Sequence, residues 1–147
     1  MRVLNNAGIT ECYDVTLRSF RYVDTGIASA TVECFTNDAV LDRYGDVTVG
    51  GDELLQLFTE RENDVSRTTC HAVVNFSPVE VARDQCIEAH YALLVFEARP
   101  GEHSSQLAGV RLCFDRYARR EGRWLIEHRR QEHLGLAASI AAAKEAK

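Results

Sequence analysis

"RTTCHAVVNF", residues 67–76, is the stretch where the pattern of the chain turns from helix to strand. With a period of two, His71 shares a face with Thr69, Val73 and Asn75, while Cys70, Ala72, Val74 and Phe76 share the other. One face is apolar and the other carries an imidazole and an amide. Such a polar face looks either at water or into an enclosed pocket that needs polar groups. Its neighbours in the sheet decide between the two.

Downstream the β pattern continues. "QCIEAHYALLVFEARP" (85–100) is a long strand ending in a polar turn, "QLAGVRLCFDRYARR" (106–120) is the next, and the "EG" turn at 121–122 leads into "RWLIEHRRQEH" (123–133). In the 86–96 strand, Ile87, Ala89, Tyr91, Leu93 and Val95 oppose Cys86, Glu88, His90, Ala92, Leu94 and Phe96, so both faces carry large apolar groups. In the 106–120 strand Arg111, Cys113, Asp115 and Tyr117 share one face, and Ala108, Val110, Leu112 and Phe114 the other. If the faces bearing His71 with Asn75, His90, and Arg111 with Asp115 converge, they form an ionisable cluster inside an apolar wall, as a small-molecule site requires.

Upstream the spacing is helical. Ile9, Tyr13, Leu17, Phe20, Val23 and Ile27 fall on one stripe, predicting a helix over about 9–24 that is broken by "DTG" at 24–26. A short helix over about 27–35 follows, closed by the turn formers "TND" at 36–38. "AVLDRYGDVTV" (39–49) reads as two short strands around a glycine turn. "GGDELLQLFTEREN" (50–63) reads as a third helix with Asp52 and Glu53 in its first turn, where the dipole favours anions. Helices first and a strand meander afterwards predict α+β architecture rather than alternating βαβ units. The expected organisation is one domain over 1–135 and an Ala-rich helical tail over 136–147.

Composition narrows the function. The 147 residues carry a net charge of −5 and 46% hydrophobic residues, which suits a soluble protein and argues against general nucleic-acid binding despite the basic runs at 116–124 and 127–131. No stretch approaches the ~20 apolar residues of a membrane span. The N-terminus lacks a signal-peptide core, so a cytoplasmic location is expected. The five cysteines, Cys12, Cys34, Cys70, Cys86 and Cys113, include no CxxC pair and are expected as reduced, mostly structural thiols.

The order and spacing of four strings, "YVDTGIASATVECFTNDAVLD" (22–42), "GGDELLQLF" (50–58), "RTTCHAVVN" (67–75) and "FDRYARREGRWLIEHRR" (114–130), resemble the SnoaL-like branch of the nuclear transport factor 2-like superfamily. The resemblance spans roughly residues 9–132. It implies a cone-shaped barrel of a strongly curved, mixed but mostly antiparallel sheet wrapped on three N-terminal helices, with an internal pocket and often a homodimer or homotrimer. It also implies a hydrophobic small-molecule ligand, with no metal and no cofactor. Relatives include polyketide cyclases, scytalone dehydratase, ketosteroid isomerase, limonene epoxide hydrolase and the small subunits of aromatic-ring dioxygenases, and fold analogy does not choose among them. His71 falls where scytalone dehydratase carries one of two catalytic histidines. The second falls near Phe96, the pocket asparagine near Cys113, and the tyrosine–aspartate pair near Gly26 and Ile27, so this chain keeps one of that set. Asp115 lies near the acidic base of SnoaL-type cyclases.

The candidate catalytic residues are therefore His71 with Asp115 or Asp24: an imidazole oriented by a carboxylate can move a proton next to a carbonyl. Tyr44, Asn75, His90, Phe96, Arg111 and Cys113 are the candidate substrate-binding residues, with Arg111 suited to an enolate or carboxylate oxygen. The corresponding activity is cofactor-free dehydration, isomerisation or cyclisation of a hydrophobic carbonyl compound. The alternative is a non-catalytic ligand-binding or assembly module resembling the dioxygenase small subunit. The structural reading of the acids also stands open: Asp24 capping the second helix, and Asp115 pairing with Arg129 across the last hairpin.

Overall fold

Two tight turns with left-handed backbone set the hairpins. Tyr44 and Gly45 (φ 58° and 90°) join β1 (Phe35–Arg43) to β2 (Asp46–Val49), and Glu121 and Gly122 (φ 51° and 76°) join β5 (Gln106–Arg120) to β6 (Arg123–His133). With β3 (Thr68–Ala82) and β4 (Cys86–Ala98) they form an open six-stranded sheet in the order β2-β1-β6-β5-β4-β3. Only the β1–β6 pairing is parallel. The computed structural model describes residues 6–135. The expected 136–147 tail lies outside them.

Three helical segments pack against this sheet: α1 (Asn6–Asp24), a 3-10 helix (Ala28–Cys34) and α2 (Gly51–Asn63). The fold is thus a cone-like α+β arrangement whose sheet curves without closing. The second helix is a 3-10 turn rather than an α-helix, and "TND" at 36–38 is not a turn but the start of β1. Gly50 (φ 89°) caps the start of α2, where Glu53 Oε2 turns back to accept from the Val49 N–H at 3.1 Å.

The core lies between the sheet's concave face and the helices, around Cys12, Val15, Leu54, Phe58, Ile87, Tyr117, Trp124 and Ile126. A second cluster of Phe20, Tyr91, Leu93, Val95 and Cys113 adjoins it. The buried line of α1 differs from the apolar stripe. It includes Cys12, Val15, Thr16, Ser19 and Phe20, whereas Tyr13 and Ile27 are exposed. Thr16 and Ser19 are buried because each meets a polar partner from the sheet: Thr16 Oγ1 lies 2.5 Å from the Tyr117 hydroxyl, and Ser19 Oγ accepts from Arg129 Nη1 at 3.0 Å.

β3 carries a bulge. Val74 faces Ala92 and Ser77 faces His90, so three steps on β3 span two on β4. Asn75 takes the left-handed conformation at this point (φ 56°), which asparagine tolerates better than most residues. The extra residue reverses the alternation. Phe76 turns inward onto Tyr13 and Tyr91, and Asn75 turns out to solvent.

Candidate active site

α1 ends at Asp24, directly beside the start of β3. Asp24 Oδ1 accepts from His71 Nδ1 at 2.6 Å and from Thr69 Oγ1 at 2.8 Å, and Oδ2 accepts from the His71 backbone N–H at 2.8 Å. Asp24 does not cap the second helix, which has no side-chain cap. Burial alone would raise the Asp24 carboxyl; the hydrogen bonds from the His71 ring and backbone, with that from Thr69, outweigh it and hold the carboxyl below its ordinary value. With Nδ1–H committed to the carboxylate, Nε2 is the imidazole's remaining basic nitrogen. The ring stacks on Phe20 (centroids 5.2 Å apart, 18° between planes), and its side chain is only 10% exposed.

His71 lines a cavity of about 340 Å³ between the sheet and the helices. Phe20, Val23, Phe35, Leu41, Leu57, Phe58 and Val95 supply apolar wall; Arg43, Arg61, Arg67, Arg111, Arg129 and Gln131 supply polar wall, together with two exposed acids, Glu60 and Asp64, that alternate with Arg61 and Arg67 in sequence. The strand register connects these groups. His71 faces Val95 across β3–β4, Leu93 faces Arg111 across β4–β5, Cys113 faces Gln131 across β5–β6, and Gln131 faces Arg43 across β6–β1. They form one belt across the concave face.

Asp115 sits behind this belt. It is fully buried and receives Arg129 through two contacts, Nε to Oδ1 at 2.9 Å and Nη2 to Oδ2 at 2.8 Å. Tyr91 donates to Oδ2 at 3.0 Å, and the Tyr117 hydroxyl lies 3.2 Å from the same oxygen. Burial opposes the charge on Arg129, and the adjacent Asp115 more than restores it, so the guanidinium titrates even higher than usual. The guanidinium also lies over the Phe20 ring at 4.4 Å. Asp115 is therefore a saturated structural anion, and Asp24 is the carboxylate paired with His71.

The remaining candidate residues divide clearly. Arg111 lines the cavity. Tyr44 stands beside it at the β1–β2 turn, its ring 5.4 Å from the Arg111 guanidinium and stacked on His133 at 3.7 Å. Cys113 does not line the cavity but is buried beside it with Tyr91 and Leu93, its thiol pushed up to about 12 by burial first and by the charge of Asp115 next, so it stays protonated. Asn75, His90 and Phe96 do not face the cavity. The bulge turns Asn75 outward; His90 pairs with Ser77 and Phe114 on the outer face and packs on the Phe114 ring at 4.9 Å; Phe96 pairs with the exposed Cys70. Because His90 lies on the opposite face from His71, the two cannot share a metal. Among the described residues, no three His, Cys, Asp or Glu side chains are grouped as metal ligands. Nor is any described helix long and apolar enough to cross a membrane.

Arg43, Arg129 and Gln131 are cavity residues that were not singled out by sequence as ligands. A bulge in β6 opposite Arg116–Tyr117 shifts the alternation there, placing Arg129 and Gln131 inward together with Trp124 and Ile126. The basic run at 127–131 hides this switch, since its inward and outward members are chemically alike.

Comparison with known proteins agrees with the architecture. No curated protein matches the sequence at a significant level. Among solved structures, a Catenulispora acidiphila protein in complex with S-DNPA is 21% identical, with a TM-score of 0.76 over 93% of this chain and 99% of that one. ActVI-ORFA from Streptomyces coelicolor is 15% identical, with a TM-score of 0.74 over 85% of this chain and 96% of that one. A nuclear transport factor 2-like protein with a cystatin-like fold from Novosphingobium aromaticivorans is 18% identical, with a TM-score of 0.77 over 92% and 88%. At these identities the likeness concerns the fold. The model of the SnoaL-like domain matches residues 7–130, nearly the whole described chain, and the chain belongs to that family.

Proposed function

We propose that this protein is a cofactor-free acid–base enzyme acting on a hydrophobic carbonyl compound, by dehydration, isomerisation or cyclisation. The observation that carries this reading is the His71–Asp24 pair on the wall of a cavity of about 340 Å³. Nε2 takes a proton from the carbon next to the carbonyl, and the C–H electron pair moves into an enolate. The imidazolium so formed keeps Nδ1–H on the Asp24 carboxylate, which stabilises the new charge. The arginine-rich wall meets the negative charge on oxygen. The proton then returns to another carbon in isomerisation, or leaves with a hydroxyl as water in dehydration. In cyclisation the enolate carbon attacks a second carbonyl, and the proton goes to the resulting alkoxide.

The test is α-proton exchange in D2O, followed by mass spectrometry on a panel of bicyclic ketones beginning with 2-tetralone. His71→Gln is expected to lower the enzyme-dependent rate by about 10² or more while the circular dichroism spectrum is retained. An unchanged rate removes His71 from the chemistry.

The outer face of β3–β5 supports self-association as a dimer or trimer. Ala72, Val74, Ala92, Leu94, Val110, Leu112 and Phe114 lie there, all only half-buried. The five cysteines are free, which fits a reducing, cytoplasmic location.

A further inference from the structure

Two of the five arginines lining the cavity have neither an ion pair nor a side-chain hydrogen bond among the described residues. Arg129 is held by Asp115, Arg67 by Glu97 and Asp64, and Arg61 bonds the Asp64 carbonyl and the Thr69 hydroxyl. Among the described residues Arg43 and Arg111 form no ion pair, and the Arg111 guanidinium lies over the Tyr44 ring at 5.4 Å. Two buried atoms in the same corner lack a hydrogen-bond partner: Arg43 Nε, a donor, and Gln131 Oε1, an acceptor on a residue only 4% exposed. Arg43 and Gln131 are directly paired across β1 and β6, yet their side chains do not satisfy each other. A buried polar atom without a partner is unfavourable unless something else meets it. The protein as a whole is acidic, so the unpaired cations are a local feature of the cavity.

We infer that this corner binds an acidic substrate: a carboxylate held by Arg43 and Arg111, with an adjacent hydroxyl donating to Gln131. The inference rests on the proposed reading of the cavity as a substrate site and adds the substrate class, a hydroxy acid with an apolar body. The belt from His71 to Arg43 lets one guest reach both ends. Its acid group occupies the corner while its apolar part lies against Phe20, Leu57 and Phe58.

Calorimetric titration with 3-hydroxy-2-naphthoate, its methyl ester and 2-naphthoate tests this without any turnover. The hydroxy acid is expected to bind at least about tenfold more tightly than the ester, and Arg43→Met and Arg111→Met each to remove that preference without weakening the ester, since a charged hydrogen bond accounts for a change of this size. Gln131→Leu is expected to abolish only the advantage of 3-hydroxy-2-naphthoate over 2-naphthoate. Equal affinity for acid and ester overturns the inference, as does undetectable binding of the acid, or variants that weaken acid and ester alike. His71→Gln separates the two readings. Acid binding that survives in this variant while its α-proton exchange is lost supports both readings, whereas acid binding by a parent protein that itself exchanges no α-protons supports the acid site and sinks the proposed chemistry.

Discussion

Replacing Asp115 by Asn leaves the shape of the side chain and removes its charge, which decides between its two roles. In a SnoaL-type base, the change would abolish turnover and leave stability almost untouched. The structure requires the opposite weighting. Asp115 has no exposed surface, and Arg129, at 3% exposure, would keep one amide oxygen, Ser19 Oγ and the Phe20 ring but lose its counter-charge and meet an amide NH2 in place of the second oxygen. Removing one partner of a buried, hydrogen-bonded ion pair destabilises by about 3–5 kcal/mol, a large share of a typical total of roughly 5–15. For a chain of this length that corresponds to a fall in Tm of roughly 10–20 °C. Replacing both partners, as Asp115→Leu with Arg129→Leu, is expected to destabilise by clearly less than the sum of the single changes, because neither charge is then stranded. Urea unfolding followed by circular dichroism at neutral pH measures the parent, Asp115→Asn, the two single leucine variants and the double variant. An Asp115→Asn variant within about 1 kcal/mol of the parent, or singles that add without coupling, would refute the account of Asp115 as a structural anchor.

Acid stability carries the signature of Asp24. Its carboxyl is held below its ordinary value in the folded chain, so the stabilisation is present above the unfolded value near ~4 and is lost as pH falls through the folded one. Plots of unfolding free energy against pH should show Asp24→Asn with a flatter acid limb; parallel limbs would mean the hydrogen bonds to His71 and Thr69 do not set the shift. At the β3 bulge, Asn75→Val should destabilise by about 1–2 kcal/mol in urea unfolding, because a β-branched residue resists φ 56°, whereas Asn75→Gly should fall within about 0.5 kcal/mol of the parent.

Period-two alternation located the six strands, though it missed the start of β1 at 35–38, and divided each strand into the right two faces almost throughout. It could not say which face of one strand joins which face of the next. His90 illustrates the gap. A histidine on a face shared with Ala92, Leu94 and Phe96 looks like a pocket residue, and the concave face of β4 is instead the set Ile87, Ala89, Tyr91, Leu93 and Val95. Register settles the matter, since Leu93, Tyr91 and Ala89 face Arg111, Cys113 and Asp115. Asn75 failed for a different reason. A bulge inserts one residue into the count, and asparagine at that point is chosen for backbone conformation rather than for a ligand. The α1 stripe was misplaced because hydropathy cannot see that Thr16 and Ser19 have partners waiting in the sheet.

Asp24 was one of two carboxylates the sequence offered to His71, and it could not be preferred to Asp115 there because its position is locally unfavourable. It is the last residue of α1, where the helix dipole opposes a carboxylate. Local rules alone would place a basic side chain there. The anion is tolerated because β3 supplies three donors to it, the His71 ring and backbone N–H groups and the Thr69 hydroxyl. These donors lie more than forty residues away in sequence and arrive only when α1 docks on the sheet. A local preference broken and then satisfied by tertiary contacts is where a working site is expected. The same contacts fix the imidazole: backbone and ring of His71 share one carboxylate, so the ring cannot turn away from the cavity without breaking its bond to Asp24. Docking of α1 therefore does two things at once, burying Phe20 against the sheet and setting the orientation of the imidazole stacked upon it.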